Sequence, residues 1–466
     1  MNPRDVLRRM FNPHAIAVIG ASREPGKVGY SVVKNIIEGG YRGHVFPVNP
    51  RADEIFGIKC YHAIEELPDP VDVAILCVPA IIIPSIIKEL GANRIPVAVI
   101  ISSGFAEVGQ DDLHRTLTEV AEQAQVRMVG PNIFGYYYTP QDLCATFCIP
   151  YTKKGKIALT CQSGGVGMGI IGYTRSHEIG VSAIVGLGNK ADLDESDFLE
   201  FFAQDEATQV IALHMEGLRD GERFLQVAKK VSKEKPIIAL KVGRTASGAR
   251  AAVSHTASLA GDDRLYEAAF KQCGVLRARS LEELFDWAKV LVKLPPPNGE
   301  NVVIHTGAGG LGVILSDACY DHELRLMEIP QDLEAQLRNH IPPFGSFRNP
   351  VDITGASPPI TYEETARLLM NDERVDSVIF GYWETVITPP MVFATALARV
   401  INEARDRGIF KPVVASLSGD SGIEKAARYL EKQGIPSYPY APEKAVAALS
   451  ALYKWMRLTS TSEREK

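Results

Sequence analysis

Short apolar runs alternate with amphipathic, helix-patterned segments along the whole chain. Runs of this kind, bounded by Gly and Pro, read as strands, and their alternation with helices predicts parallel sheets covered on both faces. From about His14 to Pro131, strands are predicted at Ala15–Ile19, His44–Val48, Val71–Val78, Val97–Ile101 and Val126–Val129. Helices such as Ser31–Glu38 and Asp111–Gln123 lie between them. From about Gly155 to Lys293 the strands are Lys156–Thr160, Ser182–Leu187, Val210–His214, Ile237–Lys241 and Val275–Ala278. The prolines of Leu294-Pro295-Pro296-Pro297-Asn298-Gly299 fit neither helix nor central strand and mark a linker. Beyond it come strands at Asn301–His305, Ser377–Gly381 and Pro412–Leu417, then a helix around Glu443–Met456. The prediction is an α/β protein of three doubly wound domains, residues 1–132, 133–294 and 300–458, with a polar tail, 459–466.

Composition narrows the class without changing that picture. Hydrophobic residues are 46% and charged residues 23%, enough for sizeable cores. The net charge of −6 offers no basic surface to nucleic acid or an anionic membrane. The apolar runs are well short of a membrane span, and the charged Met1 to Met10 stretch has no signal-peptide core. Seven cysteines at 60, 77, 144, 148, 161, 273 and 319 show no repeated spacing, which suits a reducing cytoplasm. Cys144 and Cys148 have no second pair to complete a zinc site, so no metal ligand is assigned.

The loops after the strands carry the chemistry. The first strand runs into Gly20-Ala21-Ser22-Arg23-Glu24-Pro25-Gly26-Lys27-Val28-Gly29, a glycine-rich turn that presents backbone N–H groups and a helix N-terminus to an anion. Ser22 stands where a dinucleotide fingerprint needs its second glycine. The second strand ends Val48-Asn49-Pro50-Arg51, without a carboxylate for a ribose 2′-hydroxyl, so Lys27 and Arg51 suit a phosphorylated ribose. Cys77-Val78-Pro79-Ala80, Ile101-Ser102-Ser103-Gly104-Phe105 and Gly130-Pro131-Asn132 end the other strands. A phosphorylated nucleotide such as coenzyme A or NADP fits this edge; plain turn glycines are the alternative.

In the second domain the strand ends are Gln162-Ser163-Gly164-Gly165-Val166-Gly167, Gly188-Asn189-Lys190-Ala191-Asp192, His214-Met215-Glu216-Gly217 and Lys241-Val242-Gly243-Arg244. The last leads to Val253-Ser254-His255-Thr256-Ala257-Ser258-Leu259-Ala260-Gly261, a run of small and hydroxylic residues that presents one imidazole. In a parallel sheet all four ends share one edge. His255 is the candidate phosphoryl acceptor, Glu216 the acceptor that orients and stabilises its ring, and Ser163, Gly164 and Gly165 the phosphate-binding N–H groups. A mobile surface loop is the plainer reading of His255, and an exposed strand-end carboxylate that of Glu216. Asp194-Glu195-Ser196-Asp197 is expected to be a helix-capping run with solvated charges, and His214 a satisfied core histidine.

These motifs resemble the α subunit of the ADP-forming acetyl-CoA (acyl-CoA) synthetases, relatives of succinyl-CoA synthetase. The matching pieces are Gly20-Ala21-Ser22 with Pro25–Gly29, Pro47–Pro50, Gly130–Asn132, Gln162–Gly165, Gly188–Asp192 with Asp194–Asp197, and Glu216-Gly217. Ser254–Thr256 with Ser258–Gly261, Gly309-Gly310 and Asn349-Pro350-Val351-Asp352 extend the match over almost the entire chain. The resemblance implies a Rossmann-like CoA-binding domain followed by two flavodoxin-like domains. It assigns CoA to Gly20, Ala21, Ser22, Gly26, Lys27, Val48, Asn49, Pro50, Arg51, Val78, Pro79, Ser102, Gly104 and Asn132.

The same resemblance implies an acid–thiol ligase that interconverts acyl-CoA, ADP and phosphate with acid, ATP and CoA through an acyl phosphate and a phosphohistidine at His255. No G-x-x-x-x-G-K-[ST] loop occurs in the chain. The implied partner is therefore a β subunit with an ATP-grasp domain, in an α2β2 heterotetramer, with Mg2+ travelling on the ADP or ATP. Three departures stand out. Ala257 replaces a glycine of the histidine loop, at a cost of about 1 kcal/mol if that position needs positive φ. Ile133 replaces a common cysteine, and Cys144 stands where asparagine is frequent; both bear on the acyl or pantetheine end. Thr306-Gly307-Ala308-Gly309-Gly310-Leu311-Gly312 is either a plain turn into a helix or a surface for the histidine loop or a partner. Two other readings compete: a non-catalytic CoA-binding or sensing subunit, which has no use for both His255 and Glu216, and an NADP-dependent oxidoreductase, which the glycine spacing disfavours.

Overall fold

The computed structural model describes residues 2–68, 70–149, 153–245, 247–248 and 262–461. They form two compact units, Met1–Leu284 and Phe285–Lys466. The first unit opens with a helix, Pro3–Phe11, capped by Asn2 accepting from Asp5 N–H at 2.8 Å. Proline at the first helical position and Arg8 and Arg9 in the last turn suit its ends. The helix buries Val6, Leu7, Met10 and Phe11.

The first sheet contains β1 (Ala15–Ile19), β2 (His44–Val48), β5 (Val73–Leu76), β6 (Val97–Ile100) and β7 (Arg127–Val129), all parallel, in the order β2-β1-β5-β6-β7. A small hairpin, β3 (Glu54–Ile55) and β4 (Ile58–Lys59), follows β2. Nearly every residue of β1, β5 and β6 is buried, as expected when helices cover both faces. The chain leaves β1 for β2 on one side and returns to β5 on the other. That reversal opens a crevice at the carboxyl ends, where ligands of open α/β sheets bind.

The second sheet adds β8 (Gly135–Tyr138), β9 (Leu143–Thr146), β10 (Lys153–Cys161), β11 (Gly180–Gly186), β12 (Val210–Met215), β13 (Ile237–Lys241) and β14 (Val275–Ala278). Its order is β14-β13-β12-β10-β11-β8-β9. The five strands from β10 to β14 are parallel, whereas β8 runs antiparallel to β11 and β9 antiparallel to β8. The β8–β9 hairpin was not predicted. Its strands are wholly buried and so lack the polar alternation that marks a half-exposed strand. The hairpin also joins the two sheets of this unit: Val18 and Val99, Tyr136 and Tyr138, and Val185 share one core. Phe11 completes it, its ring stacked on Phe201 at 4.7 Å and edge-on to Tyr136 at 5.9 Å.

The second unit holds β15 (Val302–Thr306), β16 (Val351–Asp352), β17 (Ser377–Trp383), β18 (Val413–Ser418) and β19 (Ser437–Pro439). They are parallel, in the order β16-β15-β17-β18-β19, with the same reversal beside the first strand. The closing helix spans Pro442–Thr461, several residues longer at its end than predicted. No helix among the described residues is long and apolar enough to cross a membrane.

Candidate active site

At the reversal of the first sheet, Gly20 sits at φ +85°, and a Cβ there would lie 2.5 Å from the Cys77 carbonyl oxygen. A Cβ on Gly29 would lie 2.0 Å from Gly20 O. Only glycine at both positions lets the helix Val28–Glu38 press its start against the turn. No side chain caps this helix at Lys27, so its first N–H groups remain for an anion. Ser22 Oγ accepts from Glu24 N–H at 3.0 Å and shapes the turn. Asn49 Nδ2 donates to Ala21 O at 2.7 Å, and Gly20 N–H donates to Val48 O, so Val48 and Asn49 brace the loop. Gly26, Lys27, Pro50, Arg51 and Pro79 are exposed along the same edge.

Ser102 and Asn132 complete the rim. Ser102 Oγ donates to Val78 O at 2.6 Å, and Asn132 N–H donates to Ser102 O. Gly104 is engaged by protein: its N–H donates to Glu107 Oε1 at 2.5 Å, and Asn189 Nδ2 donates to Glu107 Oε2 at 2.5 Å. Burial opposes ionisation of Glu107, but these bonds outweigh it and hold its carboxyl below the usual range. Glu107, unnoticed in the sequence, thus ties a first-sheet loop to the second sheet. Arg127 does the same through paired bonds of 2.7 and 2.8 Å to Asp192.

The second sheet brings its strand ends to one edge, with Cys161 opposite both Gly186 and His214, and Met215 opposite Lys241. Ser163 caps the helix Gly164–Ser176, its Oγ accepting from Val166 N–H at 3.5 Å. A Cβ added at Gly164 or Gly165 would meet no protein atom within 4 Å, so the space beside this helix start, where an anion can be met by backbone N–H groups, is open.

Glu216 is buried rather than exposed. Its N–H donates to Gln162 Oε1 at 2.8 Å, and Gly217 N–H donates to the same oxygen at 3.2 Å. Lys190 Nζ donates to Gln162 Oε1 at 3.2 Å, Glu195 Oε1 at 2.8 Å and Gly217 O at 2.5 Å. This clamp fixes both faces of the turn that carries Glu216. Asp194 and Asp197 form the expected capping box, but the acidic run is not solvated. All four residues are buried; Arg223 bonds Asp197 at 2.6 Å, and Lys190 neutralises Glu195. His255 lies outside the described residues, as does Ala257.

A cavity of about 340 Å3 joins the two edges. Val78, Ser102 and Asn132 line it from the first sheet, and Gly164 and Gly165 from the second. These five were predicted as binding residues; the other predicted positions among the described residues lie outside its wall. Phe134, Phe147 and Met168 line it too and were missed, because an apolar side chain facing a ligand reads in sequence like one facing a core. Ile133 is in the wall, but Cys144 is not. Another concavity, of about 380 Å3, is walled by Arg4, Arg8, Tyr138 and the segment from Gln204 to Ala207. It sits beside the amino-terminal start of β12, the edge that open α/β sheets do not use for ligands.

His214 is a core histidine, with Nδ1 3.5 Å from Cys161 Sγ, and burial pushes it down to about 4. In the second unit burial pushes His305, bonded to Thr365 Oγ1 at 2.7 Å, down to about 3. Below the unfolded histidine value of about 6.5, the unfolded chain binds protons that these folded sites refuse, so stability falls with pH. Melting temperature is expected to drop from pH 6.5 towards 4 in the first unit and towards 3 in the second. His214→Gln and His305→Gln should each flatten the slope of their own unit; an unchanged slope would refute the assignment. The Thr306–Gly312 turn has packing reasons for its glycines: a Cβ on Gly307 would meet Tyr362 Oη at 2.0 Å, and one on Gly312 would meet Pro350 at 3.2 Å.

Comparison with known proteins agrees with this geometry. Residues 14–138 match the family described as CoA binding domain, 154–291 the succinyl-CoA ligase like flavodoxin domain, and 302–462 the ligase-CoA domain. The chain is 46% identical over 457 residues to acetate–CoA ligase [ADP-forming] I subunit alpha of Pyrococcus furiosus, covering 97% of this chain and 98% of that one. It is 41% identical to the acetate–CoA ligase [ADP-forming] of Methanocaldococcus jannaschii, of whose length it spans 63%. A solved structure of the acetyl-coenzyme A synthetase 1 of Ca. Korarchaeum cryptofilum, in complex with phosphate and ADP, superposes with a TM-score of 0.95 at 42% identity, covering 98% of each chain. The chain belongs to the ADP-forming acetate–CoA ligase family, as a protein of its α-subunit type.

Proposed function

We propose that the chain is the catalytic α subunit of an ADP-forming acyl-CoA ligase. The observation that carries this reading is the cavity joining the first-sheet loops to the open helix start at Gly164-Gly165. CoA lies along the first-sheet edge, its phosphates at the turn from Gly20 to Lys27 and its thiol end near Val78, Ser102 and Asn132. A phosphate oxygen attacks the thioester carbonyl, the C–S bond breaks, and CoA leaves with a proton on sulfur. The N–H groups of Gly164 and Gly165 hold the phosphoryl oxygens where charge develops. A ring nitrogen of His255 then attacks phosphorus and the carboxylic acid leaves. Glu216 orients the imidazole and stabilises its charged form.

In the last step an ADP oxygen takes the phosphoryl group from His255. A β subunit with an ATP-grasp domain holds that nucleotide and its Mg2+, in an α2β2 heterotetramer. All seven cysteines are unbonded, which supports a reducing compartment, the cytoplasm. The proposed domain limits are residues 1–132, 133–294 and 300–458.

The chain together with its nucleotide-binding partner, given acyl-CoA, phosphate and ADP, is expected to release CoA and form ATP in equal amounts. Hydroxylamine should trap acyl phosphate when ADP is left out. Saturable CoA binding without CoA release from any acyl-CoA would overturn the catalytic reading in favour of a sensing subunit.

A further inference from the structure

Among the described residues, the buried cations of the first unit are Lys190, Lys241 and Arg277. Lys190 meets Glu195 at 2.8 Å and Arg277 meets Glu267 at 2.6 Å, so each has a carboxylate in contact. No ion pair reaches Lys241. It is the last residue of β13 and 1% exposed, and its ammonium donates to one acceptor, the carbonyl of the next residue, Val242 O, at 2.5 Å. Burial pushes Lys241 below the usual lysine range; Asp263 and Glu216 oppose that shift from farther off, and Arg277 and Lys190 add to it. A buried cation without a paired carboxylate costs stability, and an apolar side chain of like volume would avoid the cost. Packing therefore gives no reason for a lysine at this strand end.

The groups around the ammonium supply one. Nζ lies 4.6 Å from the ring centroid of Tyr266, a cation–π contact that gains strength where water is excluded. Tyr266 stands on the helix Asp263–Cys273, and its Oη accepts from Leu218 N–H at 3.1 Å. The two preceding N–H groups, of Glu216 and Gly217, donate to Gln162. Every N–H of the turn from Glu216 to Leu218 thus ends on a side chain, and the last of these side chains is the one Lys241 packs against. The helix start at Gly164, by contrast, is capped by Ser163 and involves neither Lys241 nor Tyr266.

We propose that Lys241 is a positioning residue for phosphoryl transfer: through Tyr266, and by its charge facing Glu216, it fixes the turn that carries Glu216 for the step in which His255 takes the phosphoryl group, and it has no part in forming the acyl phosphate. This rests on the ligase reading above and deepens it. Lysine is kept at this place for the geometry of one step, at the expense of stability.

The test uses the enzyme with its nucleotide-binding partner and measures two rates without ADP. One is acyl phosphate formation, read as hydroxylamine-trapped acyl group; the other is acid-labile labelling of the chain from radioactive phosphate. Lys241→Met should form acyl phosphate at the wild-type rate but label about 100-fold more slowly, the scale of a misplaced catalytic group. Its melting temperature should equal or exceed that of wild type, because a buried unpaired charge has been removed. Tyr266→Phe keeps the ring and loses only the acceptor for Leu218 N–H, so labelling alone should slow, by about tenfold. If both act through one turn, the double variant is no slower than Lys241→Met. A Lys241→Met chain that labels at the wild-type rate, slows both steps alike, or melts below wild type would overturn the proposal and leave the ligase reading intact. A wild type that forms no acyl phosphate from any acyl-CoA would sink the ligase reading itself.

Discussion

His255→Ala is expected to take up no acid-labile phosphate under conditions that label the wild-type chain from acyl-CoA and radioactive phosphate. A phosphoryl group on a ring nitrogen is lost in acid and survives base, the reverse of a serine ester. The two properties together identify the bond without any structural detail of the loop. Alanine removes the only imidazole of the stretch from Val253 to Gly261, and neither Ser254, Thr256 nor Ser258 would give the same lability. Label persisting in the variant would end the phosphohistidine reading.

Glu216→Gln keeps the proposed nucleophile but replaces the carboxylate proposed to stabilise it, and should slow labelling by about 10²–10⁴. The backbone of Glu216 is held by Gln162 and buried with it. A neutral isostere therefore leaves the turn in place and tests the charge alone.

Lys190→Met should lower the stability of the first unit by about 3–5 kcal/mol, because it strands a buried carboxylate. Lys190 is 5% exposed and Glu195 1%, and the Nζ bonds to Glu195, Gln162 and Gly217 use all three ammonium protons. Glu195 Oε2 already has no hydrogen-bond partner, so losing Lys190 would leave the whole group uncompensated. The double variant Lys190→Met/Glu195→Leu removes both charges and should recover most of the loss, since a buried ion pair and an apolar pair of like size are often close in energy.

Hydrogen exchange of residues 153–245 reads this transition. Tryptophan fluorescence follows the second unit separately, because Trp287, Trp383 and Trp455 all lie there. A single variant as stable as wild type would show that the pair is solvated in solution. Even the stable double variant should turn over slowly, for it frees the Gly217 carbonyl and loosens the turn that carries Glu216.

The central strands were legible because a strand buried on both faces is apolar nearly from end to end: β1, β5 and β6 are wholly so, and β12 and β13 are broken only by His214 and Lys241. The same property hid the β8–β9 hairpin, whose residues Gly135–Tyr138 and Leu143–Thr146 are too few and too uniform to show a period. The helix Pro3–Phe11 was passed over because its charged face dominates the count of residue types. Its Val6, Leu7, Met10 and Phe11 are spaced to bury one face, and only their packing against Tyr136, Tyr138 and Phe202 shows what that face is for.

The sequence by itself determined the backbone chemistry of the site. Glycine at 20, 29, 164 and 165 is visible as a letter, and its reason, close approach or open space above a helix start, is a property of the residue type. It also led to the expectation that Gln162–Gly165 and Glu216 follow parallel strands and share an edge, as the pairing of β10 with β12 bears out; the histidine loop lies outside the described residues.

Only the tertiary structure decided which side chains are buried and what faces them. Asp194 to Asp197 became a buried, paired cluster instead of a solvated cap, Glu107 and Asn189 a bridge between two sheets, and Met168 a cavity wall. The reason is that a motif is a local pattern of backbone conformation, whereas burial and pairing depend on residues tens of positions away. Arg223 for Asp197 and Asn189 for Glu107 are such partners, and no local pattern names them.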